Sequence, residues 1–155
     1  LQIAVTLHAC GKFISMKNSN ECGYTLIMST EIIGLSHLER EIIANVVRYN
    51  IRDFDYDMMQ LETEAGQDLA GVSDRTAITI LIAKLTAILR LANSMDKTHK
   101  SKLIDCRMAV REGQLVITTG YKGDLALESA SFEQKAAFFE EIFGIRPVLK
   151  QKRRV

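Results

Sequence analysis

The stretch SDRTAITILIAKLTAILRLANS, residues 73–94, decides what kind of fold this chain can make. Its apolar residues Ile78, Leu81, Ile82, Leu85, Ile88, Leu89 and Ala92 recur three and four apart, which is the spacing of one wide helix face. Thr79, Lys84, Thr86 and Arg90 interrupt residues 78–92, and no apolar run reaches the roughly 18 residues of a membrane span. The expectation is a buried core helix, the hub of a helical region, and no membrane partner. Ser73 is suited to cap it, and Asp74 to meet the positive end of its macrodipole.

Upstream the spacing stays helical. A first helix is expected over residues 1–10, stopped by Gly11, and a short second one around residues 23–29 after a polar turn at 17–21. Gly34-Leu35 breaks the pattern. Ser36-His37-Leu38-Glu39 then reads as a capping box, in which the Ser hydroxyl and the Glu carboxylate each take a backbone amide. The following helix, to about Tyr49, puts Leu38, Ile42, Ile43, Val46 and Tyr49 on one stripe.

Downstream of Asp96 the period changes. Residues 106–111 and 114–119 alternate around Glu112-Gly113, a hairpin signal. Residues 125–128 suggest a third short strand. Ser131-Phe132-Glu133-Gln134 suggests a second capping box opening a helix to Phe143, which Gly144 ends. Residues 145–150 form a last strand that Pro147 confines to an edge. The fold class is therefore mainly α: a helical domain over 1–100, followed by a small α+β unit over 101–155 with a hairpin, a helix, an edge strand and a basic tail.

A composition of 47% hydrophobic and 25% charged residues suits a globular chain with a sizeable core. Leu1 already sits in an apolar run, so the expectation is a sequence that begins inside a helix whose partner segment lies upstream. No signal-peptide pattern follows it. Three widely spaced cysteines, Cys10, Cys22 and Cys106, argue against a disulfide framework and for a reduced, cytoplasmic setting. The net charge of +1 selects no nucleic acid partner. Basic residues gather only over 97–102 and in the tail at Lys150, Lys152, Arg153 and Arg154, read as a solvated loop and a frayed terminus.

Most chemistry-bearing patterns fail on inspection. Asp53, Asp55, Asp57 and Glu64 hold positions 1, 3, 5 and 12 of a calcium loop, but Met58 stands where the turn needs Gly, so an acidic linker is the better reading. His8, Cys10 and Cys22 lack the paired short spacing of a zinc site. No nucleophile elbow, P-loop or dinucleotide fingerprint is present.

Three segments remain: LHACGKFI at 7–14, GLSHLEREIIANVVRYN at 34–50 and LRLANSMDKTH at 89–99. In order and spacing they resemble the C-terminal region of the exopolyphosphatase and guanosine pentaphosphate phosphatase family, which is related to HD-type metal phosphohydrolases. The resemblance implies an HD-like helical domain followed by a small α+β unit. It also implies that catalysis and magnesium belong to N-terminal actin-like domains absent from this chain. It implies further that this C-terminal region helps to form a homodimer and a groove for the phosphate polymer.

An HD centre needs His and Asp ligands around a metal that activates water. Here His8 remains, Ala9 replaces the Asp, Asn93 replaces a later Asp, and Asp96 follows one turn on. Asn20, Cys22 and Asn50 stand where relatives often have histidine. These vestigial metal-site positions argue for no metal, no cofactor and no catalytic residue in this chain. Lys12, Arg48 and Arg90 are the candidate phosphate-binding residues; pairing of the arginines with Glu41 or Asp96, or snorkelling, is the other reading. The expected function is a non-catalytic domain of a phosphatase that hydrolyses terminal phosphoanhydrides, with polyphosphate or guanosine pentaphosphate as ligand. The alternatives are an autonomous HD phosphohydrolase using His8 and Asp96, or a purely structural dimerisation module.

Overall fold

A computed structural model describes residues 1–56, 61 and 72–152, except the side chains of 72–74. The elements are α1 (Gln2–Leu7), a 3-10 turn (Cys10–Phe13), α2 (Ser19–Ser29), α3 (His37–Tyr49), α4 (Val72–Met95), β1 (Cys106–Arg111), β2 (Gln114–Thr119), α5 (Ala126–Phe143) and β3 (Arg146–Gln151). The mainly α class with a small α+β portion is what the sequence predicts. The chain divides into two compact units, residues 1–89 and 90–155, so the division falls within α4.

In the first unit Ala4, Ile27, Ile43, Ala44, Val46, Val47, Ile78, Ile82 and Leu89 form the core. The capping box is present: Ser36 Oγ accepts the Glu39 amide at 3.2 Å, and Glu39 Oε2 accepts the Ser36 amide at 2.8 Å. That exchange holds the Glu39 carboxyl below its ordinary pKa. Gly11 does not end the first helix, which stops at Leu7; it lies inside the following turn. Its role is close approach, because a Cβ there would sit 1.8 Å from the Ser19 carbonyl oxygen. The second helix starts at Ser19, four residues before the expected point.

The expected α4 face needs revision. Ile78, Ile82 and Leu89 are buried, but Leu81 is 42% exposed and Ala92 is exposed. Ala83, Thr86, Ala87, Arg90, Leu91 and Ser94 are buried instead. Periodicity of large apolar residues overlooks small ones such as Ala83, Thr86, Ala87 and Ser94, which let neighbouring backbone pack closely; Arg90 and Leu91 show that the buried face is also wider than one stripe. By length and composition residues 75–95 also suit a membrane crossing; core helices share that composition, and α4 supplies three residues of the core above. Ser73, expected as the cap, lies inside the helix. Its side chain and that of Asp74 are outside the described residues, as are Asp57 and Glu64 of the calcium frame and Arg153 and Arg154 of the tail.

In the second unit β1 and β2 form the predicted antiparallel hairpin, with Glu112 and Gly113 at φ of 50° and 73°. Two successive positive φ values match the twist of the strands and explain the Gly. Strand β3 pairs in parallel with β2 and is an edge, where Pro147 is tolerated. Residues 125–128 are not a strand, and Ser131 is not a cap, because α5 already begins at Ala126. Asp124 Oδ1 accepts the Ala126 amide at 2.9 Å, taking one of the donors a first turn leaves open. Gly144, in the left-handed region, ends α5 as expected. Leu91, Leu103, Ile117, Leu125, Phe132, Ala136, Phe139 and Pro147 are buried apolar side chains here.

Candidate functional site

The expected site residues fall on both units. In the first, His8 closes α1 with Nδ1 2.6 Å from the Val5 carbonyl. A carbonyl only accepts, so Nδ1 carries the proton, leaving the lone pair of a neutral ring on Nε2. Ala9 leads into the 3-10 turn at φ −108° and ψ 2°, and offers no ligand atom. Lys12 stands exposed in that turn.

Arg48 is held by a partner the sequence reading missed. Glu21, in the first turn of α2, takes Arg48 Nε at 2.9 Å and Nη2 at 2.9 Å, and also Arg52 Nη1 at 3.0 Å. The Arg48 guanidinium lies 4.8 Å from the Tyr24 ring centroid. Neither Glu41 nor Asp96 is this partner. Burial alone would lower the pKa of Arg48, but the Glu21 hydrogen bonds and charge raise it. The arrangement follows from an antiparallel α2–α3 pair, which sets the start of one helix beside the end of the other. An acid in a first turn and a base in a last turn also suit both macrodipoles. The capping box and the short α2–α3 link were the signal that could have located it.

Both side chains are largely covered, at 27% and 30% exposure. A double-mutant cycle of Arg48→Met and Glu21→Gln, read by urea unfolding, should give a coupling of about 1 kcal/mol. A coupling indistinguishable from zero would show the pair to be ornamental.

Arg90, Asn93 and Asp96 lie in the second unit. Arg90 is buried on α4, its guanidinium 4.5 Å from the Phe138 ring centroid. Asn93 is half-buried. Asp96 Oδ1 accepts the Ser101 amide at 2.9 Å, and its carbonyl accepts the His99 amide at 2.9 Å. The carboxylate thereby shapes a loop in which His99 and Ser101 take positive φ.

A divalent ion does not fit this donor set. Ala9 has no donor, Asn93 is neutral, and one Asp96 oxygen is engaged by backbone. Among the described residues no group of three or more His, Cys, Asp or Glu side chains is arranged to hold a metal ion. Burial pushes the Cys10 thiol up, the opposite of an activated nucleophile.

The other charged cluster, also missed from sequence, centres on Glu128. This side chain is fully buried in the first turn of α5, accepting from Thr98 Oγ1 and, at 3.1 Å, from Lys102 Nζ. Lys102 also donates to the Asp124 carbonyl at 2.9 Å. The hydrogen bond from Thr98 first, then that from Lys102, outweigh desolvation and bring the Glu128 pKa from 4.5 to about 2.

These features define an α-rich unit followed along the chain by a small α+β unit, with Arg48 paired to Glu21 in the first and the buried Glu128 held by Thr98 and Lys102 in the second. The chain belongs to the Ppx/GppA phosphatase family: the family's pattern for Ppx/GppA phosphatase, domain III, matches residues 1–136, from α1 into α5. It is thus a domain of an exopolyphosphatase-like protein. No curated protein matches the chain significantly.

Proposed function

We propose that this chain is a non-catalytic C-terminal domain of its parent phosphatase, supporting a homodimer and binding polyphosphate or guanosine pentaphosphate. The parent hydrolyses terminal phosphoanhydrides, with magnesium held by N-terminal domains, in the cytoplasm. The observation that carries this reading is a family match over residues 1–136 combined with the loss of ligands at Ala9 and Asn93. A scaffold kept without its metal donors supports binding and assembly rather than water activation.

Lys12 is the clean probe of anion binding, because it is exposed and its loss leaves the core intact. Arg48 and Arg90 need melting controls, since each has internal contacts. Phosphatase assay and metal analysis of the 155-residue chain should give no turnover and no stoichiometric metal. Polyphosphate should bind at low salt, release as salt rises, and bind more weakly after Lys12→Ala. Turnover with bound metal would replace this reading with the autonomous HD phosphohydrolase.

A specific observation favours a structural module as the second reading. Phe13, Ile14 and Met16 are 94%, 61% and 76% exposed within four residues of chain, more apolar surface than a short turn needs. No polyphosphate binding at low salt, with a dimer still present, would select it.

A further inference from the structure

The outer face of the small sheet carries a charge pattern that the proposed function does not use. Strand alternation puts Ile117, Thr119 and Pro147 on one side, where all three are buried, together with the exposed Met108 and Val110 of β1. The opposite side presents three rows across the strands: Arg107–Thr118–Lys150, Ala109–Val116–Val148 and Arg111–Gln114–Arg146. None of these positions is acidic. Arg107, Arg111 and Lys150 are exposed, and among the described residues none of them forms an ion pair. Lys152 continues the pattern: its amide donates to the Thr119 carbonyl at 3.0 Å, and alternation returns it to the same exposed side. Arg146 is engaged by Glu133 and Glu140 of α5 and is not counted. The flanking acids Asp105 and Glu112 lie beyond the ends of β1.

Arg107 and Arg111 are about 13 Å apart along the strand, and the outer strands are about 9.6 Å apart. Short side chains at Ala109, Val116, Val148 and Thr118 lie between the long basic ones. The cationic heads can therefore rise above the sheet and converge on one extended ligand. We propose that this face binds an inorganic phosphate chain, as a second anchoring surface in the 90–155 unit. The inference rests on the reading that the parent handles phosphate polymers. A flexible polymer charged at every linkage satisfies cations at these unequal spacings. A single-stranded nucleic acid fits less well, because no aromatic ring on the face offers its bases a stacking platform.

The test is binding of inorganic polyphosphate to the whole 155-residue chain across a salt series. The variant Arg107→Gln/Arg111→Gln/Lys150→Gln should weaken binding at least tenfold at low salt. It should also lower the slope of log affinity against log salt by about 2, at ~0.7 per phosphate contact. Removing the same charge elsewhere, by Lys17→Gln/Lys84→Gln/Lys122→Gln at exposed positions, should cost much less. Equal losses in both variants, or none in the first, overturn the sheet-face proposal and leave the proposed function standing. No binding by the unmodified chain overturns both. Oligouridylate held as tightly as polyphosphate, and lost with the first variant, overturns the choice of ligand.

Discussion

Replacing Gly11 with alanine should lower the stability of the chain by about 3 kcal/mol, the upper part of the range for overpacking. The added Cβ would lie 1.8 Å from the Ser19 carbonyl oxygen, 2.5 Å from the Gly23 nitrogen and 2.8 Å from the Ser19 carbonyl carbon. All three obstacles are backbone, so no rotamer change relieves them, and the turn must move away from the start of α2. Two effects oppose this. Alanine is the better helix former by about 1 kcal/mol, and it restricts the unfolded chain. Gly11 does not use a positive φ, so alanine would otherwise be welcome. The steric term is the larger, and the sign should be destabilising. Gly23→Ala is the internal comparison: its nearest obstacle is the Val47 Cγ1 at 3.0 Å, a side-chain methyl able to shift. Urea midpoints should therefore rank the original chain first, Gly23→Ala second and Gly11→Ala last. A Gly11→Ala chain as stable as the original would rule out the close approach.

Gly11 also shows where the sequence was readable and where it was not. A glycine after an apolar run signals a helix end, and nothing local distinguishes that from a glycine pressed against another segment. Local chemistry was most legible where both partners lie within a few residues. The Ser36–Glu39 box, the Glu112-Gly113 turn and the Gly144 stop all behave as read. The Ser131 box matched the same pattern and failed, because Asp124 already opens the helix seven residues earlier and carries Ser131 inside it. Charges were less legible. Arg48 reads from the sequence as an anion ligand, but its partner Glu21 lies 27 residues away and is brought in by helix packing. Glu128 is silent in the sequence, since a Glu in an apolar stretch gives no sign that Thr98 and Lys102 fold over it. The basic sheet face needed the register of all three strands before its rows appeared.

The Glu128 cluster gives the second large expected effect, and its direction depends on pH. Glu128 is 0% exposed, while its partner Lys102 keeps only 13% of its side chain accessible. A pKa brought from 4.5 to about 2 favours the folded, ionised form. Because the folded value is the lower one, this contribution is fully present above pH 4.5 and disappears as pH falls towards about 2. Lys102→Met keeps the carboxylate but removes its charged donor, leaving a buried ion with the Thr98 hydroxyl and a backbone amide. That change should cost about 3 kcal/mol at neutral pH, the lower end for a broken buried pair. The cost should shrink as acid protonates Glu128. Glu128→Gln should lose stability at neutral pH as well, but its stability should then fall less than that of the original chain through the same acid window. Unfolding measured in urea at several pH values distinguishes these curves. If Lys102→Met and the original chain stay parallel from neutral pH down to pH 2, the ammonium does not stabilise the buried carboxylate. The loop after α4 would then be tied to α5 by Thr98 and packing alone.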